Sequence, residues 1–247
     1  MPKGIIQLSF VPIYAEASIY SHIVSQFLFG ETYEILETSE GWLRVVGDLD
    51  TQITGWVVLA STHSLPIDFK FPSGHRSRFL LQGIQYFYKG QKQVLAPFGA
   101  DLSLLHNWEA DNPVVTETID YHDFTSIFLG TPYFSGGRSV FGIDAAGLVQ
   151  AYYRNLGELL PHSLEALQSL GTPIEYADAQ PNDILFFADK DDKINHVAIL
   201  LPEKMVLHVD GFVKTDTIKS TGIIGRYRQI THPLVAIRTL RKNIEID

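Results

Sequence analysis

The chain contains no cysteine. That absence excludes a thiol nucleophile, a disulfide, a thiolate zinc site and thiol redox chemistry together. Basic residues are also in short supply, 19 lysines and arginines against 28 acidic residues, giving a net charge of −9. Such a balance opposes attraction to phosphate backbones and anionic bilayers, so neither nucleic acid nor a membrane is an expected partner. No segment has the length of a membrane span, and the opening MPKGIIQLSFVPIYAE lacks a continuous apolar stretch of signal-peptide length. As it stands, the sequence reads as cytoplasmic. Neither a GxGxxG nor a GxxxxGK phosphate loop occurs, and no HExxH pair, so the expectation is no cofactor and no metal.

What is present is an aromatic-rich chain of 247 residues, 45% of them apolar, enough to bury a large core. Up to residue 65, short alternating runs such as TYEIL and WLRVV are punctuated by Gly30, Gly41, Gly47 and Gly55, which predicts a small antiparallel barrel over 1–65. Residues 66–108 repeat that style more weakly and predict a second, smaller β unit. After Trp108 the pattern turns helical in TETIDYHDFTSIFLG and AAGLVQAYYRNLG. It then returns to strands in DILFFAD, HVAILL, MVLHVDG and LVAIRTL, so 109–247 reads as an α+β domain. The junctions near Pro66–Pro72 and His106–Pro113 carry Phe69, Phe71 and Trp108 and no Gly/Ser-rich spacer, so the units are expected to pack together.

Chemistry is most concentrated in GGRSVFGIDAAGLVQAYYR, Gly136 to Arg154: a glycine-bearing loop, an acid at Asp144 and the start of a helix. A helix start stabilises a thiolate, but that position is Ala145. Read locally, Asp144 is equally an N-cap, worth about 1 kcal/mol, and Gly136 and Gly137 permit a tight backbone approach. His196 and His208, one strand apart, read locally as hydrogen-bonded residues of buried strands. Ser135 and Ser139 precede the turn, and either hydroxyl would need a base within reach to attack a carbonyl.

In order and spacing, these segments are similar to a known family. FLGTPYFSGGRSVFGIDAAG, QPNDILFF, INHVAILL and MVLHVDG resemble the successive motifs of NlpC/P60 cysteine peptidases. VPIYAEASIYSHIVSQFLFGETYEILETSEGWLRV, with Gly55-Trp56 after it, resembles the bacterial SH3-type modules that precede such domains in γ-D-glutamyl-L-diamino acid endopeptidases. The resemblance implies a papain-like α+β domain preceded by two small SH3-like β-barrels. It further implies an activity on the bond between γ-D-glutamate and a diamino acid in cell-wall peptides. It places the family's nucleophilic cysteine at Ala145, its general base at His196 and the residue orienting that base at His208.

The departures from the family are several. Ala146 stands where the family has serine, Ser135 where a tryptophan precedes the glycines, and His162-Ser163 where Arg-Asp follows Leu-Pro. Ile53 replaces a tyrosine near Gly55-Trp56. The family uses carboxylates near its pocket to hold the free amino end of a short peptide; the serine at 163 supplies no charge, and Asp144 remains for that task. The expectation is a catalytically inactive homologue retained for binding, regulatory or structural use, its partner a short peptidoglycan-derived peptide or a protein. The alternatives are a residual hydrolase with a non-cysteine nucleophile and an engineered Cys-to-Ala form. A filled cleft would favour a structural role and an open one ligand binding, with Phe134, Phe141 and His162 as the side chains available to fill it.

Overall fold

Apolar–polar alternation before residue 65 is realised as a seven-stranded antiparallel sheet in a computed structural model, which describes residues 1–50 and 53–241. Residues 242–247, the end of the expected third unit, lie outside the described residues. The strands are β1 (Lys3–Ile5), β2 (Phe10–Tyr14), β3 (Ile23–Leu28), β4 (Thr32–Ser39), β5 (Trp42–Gly47), β6 (Thr54–Val58) and β7 (His63–Ser64), in the order β3-β2-β6-β5-β4-β1-β7. Their inward residues, among them Val11, Ile13, Phe27, Tyr33, Val45 and Val57, form one core.

Residues 84–110 add a smaller sheet of β8 (Ile84–Lys89), β9 (Lys92–Pro97) and β10 (Glu109–Ala110). So few strands cannot bury a core alone. Accordingly Phe87, Val94, Ala96 and Trp108 share a cluster with Ile5 of β1 and Phe29, which follows β3, and Trp108 meets Phe29 edge-on at 5.0 Å. Phe69 and Phe71, expected to be buried, are half-exposed and pack on each other at 5.4 Å.

The helix in TETIDYHDFTSIFLG is α1 (Tyr121–Phe128); Asp120 caps it by accepting from the amides of His122 and Asp123, which starts the helix at Tyr121 and leaves Ile119 ahead of it. A two-stranded ribbon, β11 (Arg138–Ser139) and β12 (Gly142–Ile143), leads into α2 (Ala145–Asn155), then a short α3 (Leu164–Gln168). Leu148, Val149, Tyr152 and Tyr153 of α2 are all buried, as their spacing predicts, and Gly157 follows the helix at φ +84°.

The large sheet comprises β13 (Thr172–Pro173), β14 (Ile184–Ala188), β15 (Ile194–Leu201), β16 (Met205–Asp210), β17 (Phe212–Lys219), β18 (Gly222–Ile224) and β19 (Ile230–Thr239). Strands β14 to β19 run antiparallel in sequence order, and β19 pairs with both β14 and β18, so the sheet closes on itself. Strand alternation then gives two cores. Ile184, Phe186, Val197 and Ile199 pack outward against α1 and α2. Leu185, Phe187, Ala198, Leu200, Ile218 and Ile223 fill the interior.

A buried ion cluster joins the first sheet to α2. Glu31 accepts from Arg138 at 2.9 and 3.0 Å and from Arg154 at 2.9 Å, with all three side chains no more than 4% exposed. Burial alone would raise the Glu31 pKa, but the two guanidiniums outweigh it and hold the carboxyl below its ordinary value.

Candidate functional site

Asp144 is the N-cap of α2: its Oδ1 accepts from the Gly147 amide at 2.8 Å, and its Oδ2 from the Gly136 amide at 2.9 Å. Both glycines are required by space. A Cβ on Gly147 would lie 2.2 Å from the Gly137 carbonyl oxygen, and one on Gly136, at φ +75°, would lie 2.5 Å from the Ile23 carbonyl oxygen of β3. The loop is thereby pressed onto the first sheet, and Ala145 and Ala146 pack as small apolar residues against the helix-side core.

His162 completes the surroundings of Asp144. Its Nε2–H donates to Asp144 Oδ1 at 2.9 Å, its Nδ1 meets Ser25 Oγ of β3 at 2.8 Å, and its own amide donates to Asp50 at 2.7 Å. Burial works to raise the Asp144 pKa, but the His162 imidazole and the two amides bring it below its ordinary value. Against the expectation of a carboxylate free for an ammonium group, this one already takes three hydrogen bonds. Of the three side chains available to fill the cleft, only His162 is buried, and it is taken up by Asp144 and Ser25; Phe134 and Phe141 are 41% and 42% exposed. Ser163 caps α3 by accepting from the Ala166 amide at 3.2 Å, while Ser135 is exposed in the loop.

The histidines form a second group. His196, at the start of β15, and His208 on β16 share the register of the interior residues, and His196 Nε2 lies 3.0 Å from His208 Nδ1. The structure adds residues the sequence did not single out. His208 Nε2 lies 3.0 Å from Asp216 Oδ2 on β17, and the His232 ring of β19 is 4.5 Å from that of His196. Asp216 comes from the next strand of the β16–β17 hairpin, eight residues from His208, while His232 arrives through the pairing of β19 with β14. Among the described residues, no cluster of three or more His, Asp or Glu has the geometry of a metal site.

His196 and His232, with Tyr133, Asp189, Asn195, Asp210 and Thr231, line an open cleft of about 400 Å³. The loop ahead of α2 connects it to the helix start: Tyr133 N–H donates to the Gly211 carbonyl at 2.9 Å, and Phe134 N–H to that of Ile143 at 3.0 Å. Asp144 and His162 therefore make one closed group; His196, His208 and His232 make another, in which His196 and His232 face the open space and His208 is wholly buried. No hydrogen bond or ring contact joins His196 to a residue of α2 among the described residues.

Burial, aided by the neighbouring His232 and His208, pushes the His196 pKa down to about 3, and burial also lowers those of His208 and His232. An unfolded chain takes up a proton at His196 near 6.5, the folded chain only near 3. Between those values acid favours unfolding, so this contribution is complete above pH 6.5 and declines as pH falls, by up to about 1.4 kcal/mol per pH unit. Urea midpoints are expected to drop from pH 7 to pH 5, less steeply in His196→Gln. A flat profile in the parent chain would contradict this.

Residues 130–232 match the NlpC/P60 family and residues 9–65 the bacterial SH3 domain. A probable endopeptidase of Mycobacterium tuberculosis is 36% identical over 81 residues, covering 32% of this chain and 20% of that protein. A gamma-D-glutamyl-L-lysine dipeptidyl-peptidase of Bacillus cereus is 28% identical over 123 residues, 47% of this chain and 37% of the relative. The chain thus spans well under half the length of these curated relatives. The crystal structure of an NlpC/P60 family protein from Bacillus cereus superposes with a TM-score of 0.76 at 15% identity, over 96% of this chain and 99% of the other, which shows a shared fold. In sequence and fold, the chain carries an NlpC/P60 domain behind an N-terminal bacterial SH3 domain.

Proposed function

We propose that this chain is a catalytically inactive NlpC/P60 homologue whose remaining open cleft binds short peptides derived from peptidoglycan. The observation that carries the reading is the helix start: Ala145 has no atom able to attack a carbonyl, and the carboxylate beside it is consumed by His162 and two backbone amides. Losing the nucleophile of a catalytic triad removes on the order of 10⁶-fold in turnover. The base side persists, with His196 held neutral and facing the cleft.

A replacement nucleophile has little support. Ser25, His162 and Asp144 are linked as a serine–histidine–carboxylate chain, yet Ser25 is 1% exposed and walled into the domain junction, where no substrate carbonyl can reach it. Ser139 is fully buried. Ser135 is exposed but makes no hydrogen bond to a histidine among the described residues. The open cleft, in place of one filled by Phe134 and Phe141, favours binding over a purely structural role.

The test uses a γ-D-Glu-diamino acid peptide with its amino end free and the same peptide acetylated there, titrated calorimetrically into the full chain. With the Asp144 carboxylate occupied, the two are expected to bind within about threefold of each other. A preference for the free amine of tenfold or more, about 1.4 kcal/mol, or no binding by either peptide, would overturn the reading.

A further inference from the structure

We infer that Asp216 is a positioning residue: acting through His208, it fixes which ring nitrogen of His196 carries the proton and leaves the other as a bare acceptor on the cleft side. This goes beyond the proposed function and holds whether or not the cleft turns over a peptide. It follows from the directionality of hydrogen bonds along a chain of three side chains.

A carboxylate only accepts, so the 3.0 Å contact between Asp216 Oδ2 and His208 Nε2 requires the proton on His208 Nε2. His208 is wholly buried and both of its ring nitrogens are engaged, so no solvent molecule competes for either. With Nε2 protonated, the neutral ring can only accept at Nδ1. The 3.0 Å contact there must be donated by His196 Nε2–H. A neutral His196 then has its lone pair at Nδ1, for which no partner exists among the described residues, and His196 borders the 400 Å³ cleft. Burial keeps both imidazoles neutral, as this proton pattern needs.

The consequence for ligands is chemical. The cleft presents an imidazole acceptor, and the Asp189 and Asp210 carboxylates that also line it are already engaged, by the Asp191 and Lys193 amides and by Lys214, so it suits a group bearing a neutral N–H or O–H donor. Lys214 lies 3.7 Å from Asp216 and 2.7 Å from Asp210, holding both carboxylates on this side of the sheet. Without Asp216, the His208 proton is free to move to Nδ1. The pattern would then reverse, with His196 accepting at Nε2 and carrying its proton on Nδ1, and the cleft would lose its acceptor.

Two-bond nitrogen–hydrogen correlation spectra of ¹⁵N-labelled full-length chain at pH 7 read the protonation of each ring nitrogen directly. The parent is expected to show bare Nδ1 and protonated Nε2 in both His196 and His208. Asp216→Leu is expected to move a proton to His196 Nδ1, while Asp216→Glu, which retains a carboxylate, keeps the parent pattern. A purely structural Asp216 would leave the ring patterns unchanged in a folded D216L, and that result overturns the inference. So does a parent spectrum with His196 protonated at Nδ1. Should D216L not fold, Asp216→Ala takes its place under the same criteria.

Discussion

Glu31→Ala is expected to cost about 3–5 kcal/mol of stability, a fall of roughly 10 °C in Tm for a chain of this size. Glu31 is 2% exposed and is the shared acceptor for two guanidiniums. Its removal leaves Arg138 and Arg154 buried, adjacent and mutually repelling. Their remaining bonds to the Gln26 and Gly99 carbonyls and to Gln150 satisfy some N–H groups but supply no opposite charge. Glu31→Gln retains an acceptor and is expected to fall between the parent and alanine. The exposed pair Arg44–Glu37, at 3.9 Å, provides the contrast: Glu37→Ala is expected to change stability by less than about 1 kcal/mol. Chemical denaturation checks both. A cost below about 1 kcal/mol for E31A would show that the cluster does not hold the first sheet to α2.

The second large effect is an absence of rescue. Ala145→Cys alone is expected to give no appreciable cleavage of a γ-D-Glu-diamino acid peptide, although the helix start favours thiolate and the new thiol should be alkylated by iodoacetamide. Placement is the obstacle. Asp144 is drawn into bonds with His162, Gly136 and Gly147, His162 is anchored to Ser25 of the first sheet, and Ser163 is committed to capping α3. A misplacement of about 1 Å costs on the order of 100-fold in rate. Efficient cleavage by A145C would mean that these surroundings still align the scissile amide.

What the sequence disclosed follows from the range of the interactions involved. The α2 start, its Asp144 cap and its buried face are local, set by a cap residue and a helical period within a dozen positions, and they were legible. So were β14, β15 and β16, whose short apolar runs end at polar residues. Strands β17 and β18 escaped notice because FVKTDTIK carries its apolar side chains sparsely and GII is only three residues long. Closure of the sheet depends on β19 meeting β18, which periodicity does not encode.

The site divides in the same way. His196 and His208 could be found by family resemblance; Asp216 reaches His208 across the β16–β17 hairpin, eight residues on, and His232 joins them only through pairing of β19 with the distant β14. His162 could be recognised as a departure; that it would reach both Asp144 and Ser25 could not, because those partners lie 18 and 137 residues away. The Glu31 cluster spans 107 and 123 residues and left no local signature.

The most direct measurement is turnover. An L-Ala-γ-D-Glu-diamino acid peptide incubated with the purified full chain at neutral pH, followed by mass spectrometry over many hours, reports cleavage whatever group attacks. The peptide is expected to remain intact in parent and His196→Ala samples alike. Release of the diamino acid by the parent, abolished in H196A, would contradict it and show that a nucleophile other than a thiol works in this cleft.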